Sequence, residues 1–396
     1  MPPTRTFVRT PLTWLIYLML GYFAYLQSAL GPLMPHLLAE LGLGYTAGGL
    51  HFSAFALGTI LAGLLGGRVV RRWGRRAALW GGGIGMAAGG LLIAAGGHLA
   101  ATLAGALTMG AFGGGLLIII PATLSDRYGA QRTIALTEAN AMASLWAMLV
   151  PACIGGFAAA GLGWRSALYL AAALLLLIWA RFRHVAVPAA QERLRHSSSS
   201  PATALPGTFW AFCGVIFLVV SVEWSLVAWA AAFLQDAVGL RKATASTLMS
   251  LFFMAMLAGR LIASRLAHLA PSTTLLFIAL GITGLGFPLF WLAPLAPLNV
   301  AGLFVAGLGA ANLYPFALAS ALGMAPGQTD AAAARLSLTV GAAILLAPLA
   351  LGWTADRLDI RQAYGMVAAL LAAALAMTVL AARLERGAQA RTAEEA

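Results

Sequence analysis

Charged side chains are scarce in this chain, so those that interrupt its long apolar runs are where chemistry is to be sought. Glu223 stands about fifteen residues into the run 208–235. A carboxylate at mid-membrane depth costs a few kcal/mol or more when charged, and therefore normally faces a cavity and serves a function. Desolvation disfavours its charged form, which suits it to take up and release a proton; a protonated packing residue is the competing reading. Glu138, about a turn and a half inside another run, and Arg260, at similar depth in a third, are each read as either gating or binding groups or as interfacial charges. Tyr22, Tyr25, Gln27, Asn140, Trp224, Trp229, Asn312 and Tyr314 add hydroxyl, amide and indole groups within apolar runs and could line a pocket for a small solute. For each of them, packing between helices or facing lipid is the alternative.

These residues can bind and exchange protons, but they do not assemble into a bond-making centre. An enzyme would need a nucleophile, a metal or an acid pair, and only Glu138 and Glu223 are available, on different runs. The 6 histidines form no ligand motif, and Cys153 and Cys213 lie singly inside apolar runs with no CxxC, so no metal, disulfide or cofactor is expected. No Gly-x-x-x-x-Gly-Lys-Ser/Thr loop is present, which argues against ATP as the driver. Gly83, Gly85 and Ala88 match a loose dinucleotide fingerprint, but inside an apolar run with no preceding strand; close helix packing explains them, and the cluster Gly110 to Gly115 likewise.

The elements that position these groups are membrane helices. Of 396 residues, 61% are hydrophobic and 9% charged, against roughly 25% charged in a soluble domain. Runs of the ~20 apolar residues that a crossing needs fall at 12–34, 48–67, 77–97, 99–122, 133–160 and 165–182, then at 208–235, 243–265, 272–293, 297–322, 332–353 and 360–383. The first is too long for a typical signal peptide and is read as the first span. Between the two sets lies a polar, basic stretch with Ser197 to Ser200 flanked by Pro201 and Pro206, a linker by composition. The net charge of +12 is not a nucleic-acid signal, because the basic residues sit in short segments between spans rather than in a groove. With the N-terminus inside, nineteen of the 24 Lys and Arg residues fall on the inner side and five on the outer. Both termini are therefore expected in the cytoplasm of a bacterial inner membrane.

The chain also repeats. A shift of 197 residues superimposes Gly42 on Gly239, Phe55 on Phe252, Arg68 on Arg265, Gly89 on Gly286, Gly105 on Gly302, Gly110 on Gly307, Pro151 on Pro348 and Gly155 on Gly352. The expected fold is an all-α membrane protein of twelve transmembrane helices in two pseudo-symmetric six-helix bundles, 1–183 and 208–384, joined by a cytoplasmic linker 184–207 and ending in a tail 385–396. Such duplication, with a site between the halves, is transporter architecture.

At this point the sequence resembles the major facilitator superfamily (MFS) over nearly its whole length. Gly67, Arg71, Arg72, Gly74, Arg75 and Arg76 look like the family's signature loop after the second span, except that Arg71 stands where the family has an aspartate. The second-half copy, Ser264 to His268, also lacks the acid, and Gly163, Trp164 and Arg165 are a further family-like landmark. Two motifs are incomplete: Ala106 occupies the place of the fourth span's usual arginine, and Val150, Pro151, Gly155 and Gly156 match the antiporter string of the fifth span only in part. Glu223 with Trp224, Gly259 with Arg260, and Asn312 to Pro315 resemble the fucose-permease-like branch.

The resemblance implies a secondary active transporter of a small organic solute, coupled to protons and rocking two bundles about a central site, with the lipid bilayer as surroundings and a monomer as the working unit. It implies that the fifth and eighth spans meet across the halves, which would pair Glu138 with Arg260 as a cytoplasmic gate. It also implies that the signature loop faces the start of the eleventh span, where Asp330 stands, so that Arg71 and Asp330 would form a latch of reversed charge. The alternatives are a drug or lipid effluxer exchanging against protons and, in another class, a non-transporting receptor or scaffold on the same fold.

Overall fold

The computed structural model describes residues 7–189, 205–325 and 328–394, without the side chains of 329–331 and 387–394. Among the described residues the only regular structure is helical. In the first half α1 is Pro11–Leu41, α2 Tyr45–Ala95, α3 Leu99–Tyr128, α4 Arg132–Ala159 and α5 Ser166–Phe182. In the second, α6 is Gly207–Asp236, α7 Lys242–Leu266, α8 Ser272–Leu292, α9 Ala296–Gly323, α10 Thr329–Arg357, α11 Ile360–Ala363 and α12 Gly365–Glu394.

These helices account for the twelve spans. The second and third spans run together in α2, whose 51 residues are broken at Gly74 (φ 79°, ψ 163°). That backbone conformation suits glycine alone, so the chain turns there without leaving helical structure on either side. The twelfth span is carried by α11 and α12. α1 opens on a reciprocal cap: the Thr13 N–H donates to the Thr10 hydroxyl and the Thr10 N–H to that of Thr13, while Pro11 takes the first helical position, where its missing N–H costs nothing.

By packing, the chain divides into two compact units. One comprises Met1–Leu30 with Ala54–Arg195, the other Gly31–Ser53 with His196–Ala396. The hairpin formed by the end of α1 and the start of α2 thus belongs with α6 to α12 rather than with the rest of its own half.

Within each unit the helices meet at glycines, and the two units use equivalent ones. An ideal Cβ on Gly110 would lie 2.0 Å from the Phe55 carbonyl oxygen, and one on Gly307 would lie 3.0 Å from the Phe252 carbonyl oxygen. Gly89 abuts Gly105 in one unit; in the other Gly286 abuts Ala306, and Gly302 abuts Phe290. Without a water-driven hydrophobic force between helices, backbones that approach closely supply the packing energy. The 197-residue repeat is thus a repeat of helix–helix contacts. Gly85, from the dinucleotide-like string, lies against the Phe112 ring and is a packing residue as expected.

Candidate functional site

Glu223 lies in the middle of α6 and is half-buried. α7 and α9, which pack against α6 in the same unit, bring Arg260 and Tyr314 within Coulombic reach of its carboxylate. Arg260, in the C-terminal third of α7, carries the opposite charge, and Tyr314 follows Asn312 on α9. Trp224 is half-buried beside Glu223. Asn312 is buried and is one of the residues lining a cleft of about 110 Å³ between α7, α8 and α9, with Gly259, Ile262, Ile278, Leu308 and Phe316.

In the other unit, Tyr22 on α1 is fully buried and its hydroxyl has no hydrogen-bond partner. Tyr25 is engaged: its hydroxyl donates to the Ala167 carbonyl at 3.0 Å and its ring meets Trp146 edge-on at 6.2 Å. Gln27 is half-buried, and Asn140 is exposed, donating to the Leu136 carbonyl of its own helix at 2.8 Å. Trp229, in α6, is fully enclosed. Its indole N–H donates to the Pro348 carbonyl at 2.8 Å, and its ring packs against Tyr45, Phe52 and the faces of Gly48 and Gly352.

Glu138 is held by residues of its own unit. The Arg9 guanidinium grips it in a two-pronged ion pair at 2.8 and 2.5 Å, and the Tyr17 hydroxyl donates to it at 3.1 Å. Arg9 reaches it from the segment before α1, which is itself tied down. The Tyr128 hydroxyl donates to the Val8 carbonyl, and the Phe7 ring packs tilted against Tyr128 at 4.7 Å. Sequence reasoning used Arg9 only as a topological charge, because no spacing rule connects it with a residue 129 positions away.

In the loop around Gly74, Arg71 is exposed and its side chain lies back along Gly67. Asp330 is the second residue of α10, and its side chain lies outside the described residues. The inward-turned charge of the loop is Arg75, which pairs with Asp126 of α3 at 2.7 Å with side chains only 9% and 17% exposed. Arg76 donates to the Arg183 carbonyl at the end of α5. The landmark before α5 has a structural role: Arg165 donates to the Ala94 carbonyl at 2.7 Å and its guanidinium covers the Trp164 ring. Among the described residues no group of three or more His, Cys, Asp or Glu is placed to hold a metal ion.

Nine helical segments among the described residues are long and apolar enough to cross a membrane. The family model of the Major Facilitator Superfamily matches residues 13–229 and 211–396. An uncharacterized MFS-type transporter of Yersinia pestis is 25% identical over 357 residues, covering 87% of this chain and 89% of that protein. An uncharacterized transporter of Sinorhizobium fredii is 29% identical over 181 residues, 45% of this chain and 48% of that protein. Among solved structures, a peptide transporter (POT) superimposes with a TM-score of 0.75 at 18% identity, over 97% of both chains. A D-xylose–proton symporter gives 0.75 at 16% identity, over 94% of this chain and 96% of its own. A bacterial homologue of the lysosomal transporter Spinster gives 0.74 at 14%, over 94% and 96%. The finer likeness to the fucose-permease-like branch is not confirmed by these relatives. With helices of this length, a contact-level repeat and a family match over both halves, the chain belongs to the Major Facilitator Superfamily and is a multi-pass membrane transporter, not an enzyme.

Proposed function

We propose that this transporter is a proton-coupled secondary carrier of a small organic solute, working as a monomer in the bacterial inner membrane with both termini in the cytoplasm. Glu223 carries the proton, and transport proceeds by alternating access between the two bundles. The observation that carries this reading is the setting of Glu223: a half-buried carboxylate in the middle of α6, with Arg260 and Tyr314 in electrostatic reach. A group so placed changes its proton affinity as hydration and the position of its positive neighbour change, which is what coupling requires. The buried, unpartnered hydroxyl of Tyr22 supports a polar binding role for α1, because such groups are rare unless something else satisfies them. Gln27, Trp224, Asn312 and Tyr314, together with Tyr25, Asn140 and Trp229, are the other residues we assign to solute binding. Glu138 and Arg260 act as the cytoplasmic gate, with Glu138 handed between Arg9 and Arg260 through the cycle, and Arg71 with Asp330 as the latch.

The test begins with a thermal-shift screen of sugars, amino acids, organic acids and lipophilic cations, since a bound solute raises apparent stability by mass action. With the hit in proteoliposomes, Glu223→Gln keeps shape and removes titration. It should abolish accumulation driven by a pH gradient while leaving counterflow largely intact. Accumulation by the Gln variant at the wild-type rate would remove Glu223 from coupling. Binding with no flux in either protein would favour a receptor on the transporter fold.

A further inference from the structure

The start of α2 lacks a cap of its own. Gly44 precedes it and has no side chain, and its first turn holds no acidic residue. The exposed amides are satisfied from α10 instead. The Asp356 carboxylate accepts from the Tyr45 and Thr46 N–H groups, both at 2.7 Å, one on each oxygen. A carboxylate there combines the hydrogen bonds of a helix cap with the attraction of a negative charge to the helix N-terminus.

Other contacts close the same seam. An ideal Cβ on Gly352 would lie 2.5 Å from the Tyr45 carbonyl oxygen, and one on Gly49 would lie 2.7 Å from the Leu349 Cα, so α2 and α10 touch backbone to backbone. The Ser53 hydroxyl donates to the Leu345 carbonyl, and the Tyr45 hydroxyl donates to Asp236 at the end of α6. On the α1 arm, the Ser246 hydroxyl of α7 donates to the Pro32 carbonyl. An ideal Cβ on Gly31 would fall 1.9 Å from the Val227 carbonyl oxygen. The arm leaves the first unit at Leu30, directly before Pro32 and Pro35. Prolines there carry no N–H to donate, so two intrahelical hydrogen bonds are missing where the helix changes unit.

We propose that Asp356 is the residue that holds the outer end shut: by capping α2 from α10, it sets how often the hairpin 31–53 lifts from α6, α7 and α10 to admit solute from outside. This rests on the alternating-access reading above. The hairpin is the element that moves, because it is continuous with the first unit through both of its arms. Asp356 acts through the helix terminus rather than on the solute, so it is a positioning residue.

The experiment uses the full chain with Cys153→Ala and Cys213→Ala and one reporter, Ala228→Cys, which is fully buried beneath Gly31. Its reaction with a membrane-impermeant maleimide is followed in intact cells. Asp356→Ala should speed labelling by about fivefold, the shift given by loss of one helix cap of ordinary strength. Asp359→Ala removes a neighbouring cap, that of α11 on the Gln362 N–H, and should leave the rate unchanged. Gly352→Leu, a wedge against the Tyr45 carbonyl, should open the seam whatever Asp356 does. If the wedge speeds labelling and Asp356→Ala does not, the seam opens but Asp356 does not hold it, and the proposal fails alone. If neither does, the hairpin does not lift, and both the proposal and alternating access at this end fail.

Discussion

Among the described residues two tyrosine hydroxyls, those of Tyr22 and Tyr364, are buried without a hydrogen-bond partner. Tyr364 sits in a cluster of rings with Phe233, Phe287 and Phe290, at centroid distances of 4.7, 6.2 and 5.6 Å. Nothing polar reaches its oxygen, so the hydroxyl contributes only its desolvation cost, on the order of 1–3 kcal/mol for an unmade hydrogen bond. Tyr364→Phe keeps the ring and removes the cost. The variant should melt at the same temperature as the parent or a few degrees higher, and a clear drop would show that the hydroxyl has a partner. Tyr22 lies on the helix that carries Tyr25 and Gln27, two other candidate pocket residues. Tyr22→Phe should likewise not destabilise the empty protein, but it should weaken the solute-induced thermal shift. Equal shifts in the two proteins would take Tyr22 out of the pocket.

At the scale of elements, the sequence carries most of the fold, because apolar runs and glycines report directly on span and packing. The run boundaries anticipated the helices, and the 197-residue offset anticipated contacts as well as letters. Pairings across helices were not legible: Arg9 with Glu138, Arg75 with Asp126 and Asp356 with the start of α2 are all set by tertiary approach. The glycine cluster in α3 shows where reading stops. Gly110, Gly113 and Gly114 press against neighbours, whereas Gly115 faces open space. Alanine substitutions separate the cases. Gly115→Ala should be neutral or stabilising, since glycine costs a helix about 1 kcal/mol against alanine. Gly307→Ala, with its nearest neighbours at 3.0 Å, should cost a little, and Gly110→Ala, at 2.0 Å from a backbone oxygen that cannot yield, should cost most. Thermal unfolding in detergent measures the order, and a Gly115 variant as unstable as the Gly110 variant would refute it.

At the scale of the whole molecule, the expected orientation rests on charge that has nothing to do with the site. Five arginines, Arg68, Arg71, Arg72, Arg75 and Arg76, cluster around the turn at Gly74, while the α4–α5 turn holds Arg165 alone. Positive residues near span ends are retained on the cytoplasmic side during insertion, so the division of nineteen to five that a cytoplasmic N-terminus gives predicts that orientation. Two exposed leucines lie in loops assigned to opposite sides: Leu162 between α4 and α5, 65% exposed, and Leu269 between α7 and α8, 78% exposed. Neither packs against the core, so cysteine at either position should not disturb folding. In a background with Cys153→Ala and Cys213→Ala, Leu162→Cys should react with an impermeant maleimide in intact cells. Leu269→Cys should react only after the membrane is permeabilised. The reverse pattern would place the termini outside, turn the Asp356 seam toward the cytoplasm, and require the direction of the proton gradient acting on Glu223 to be reassigned.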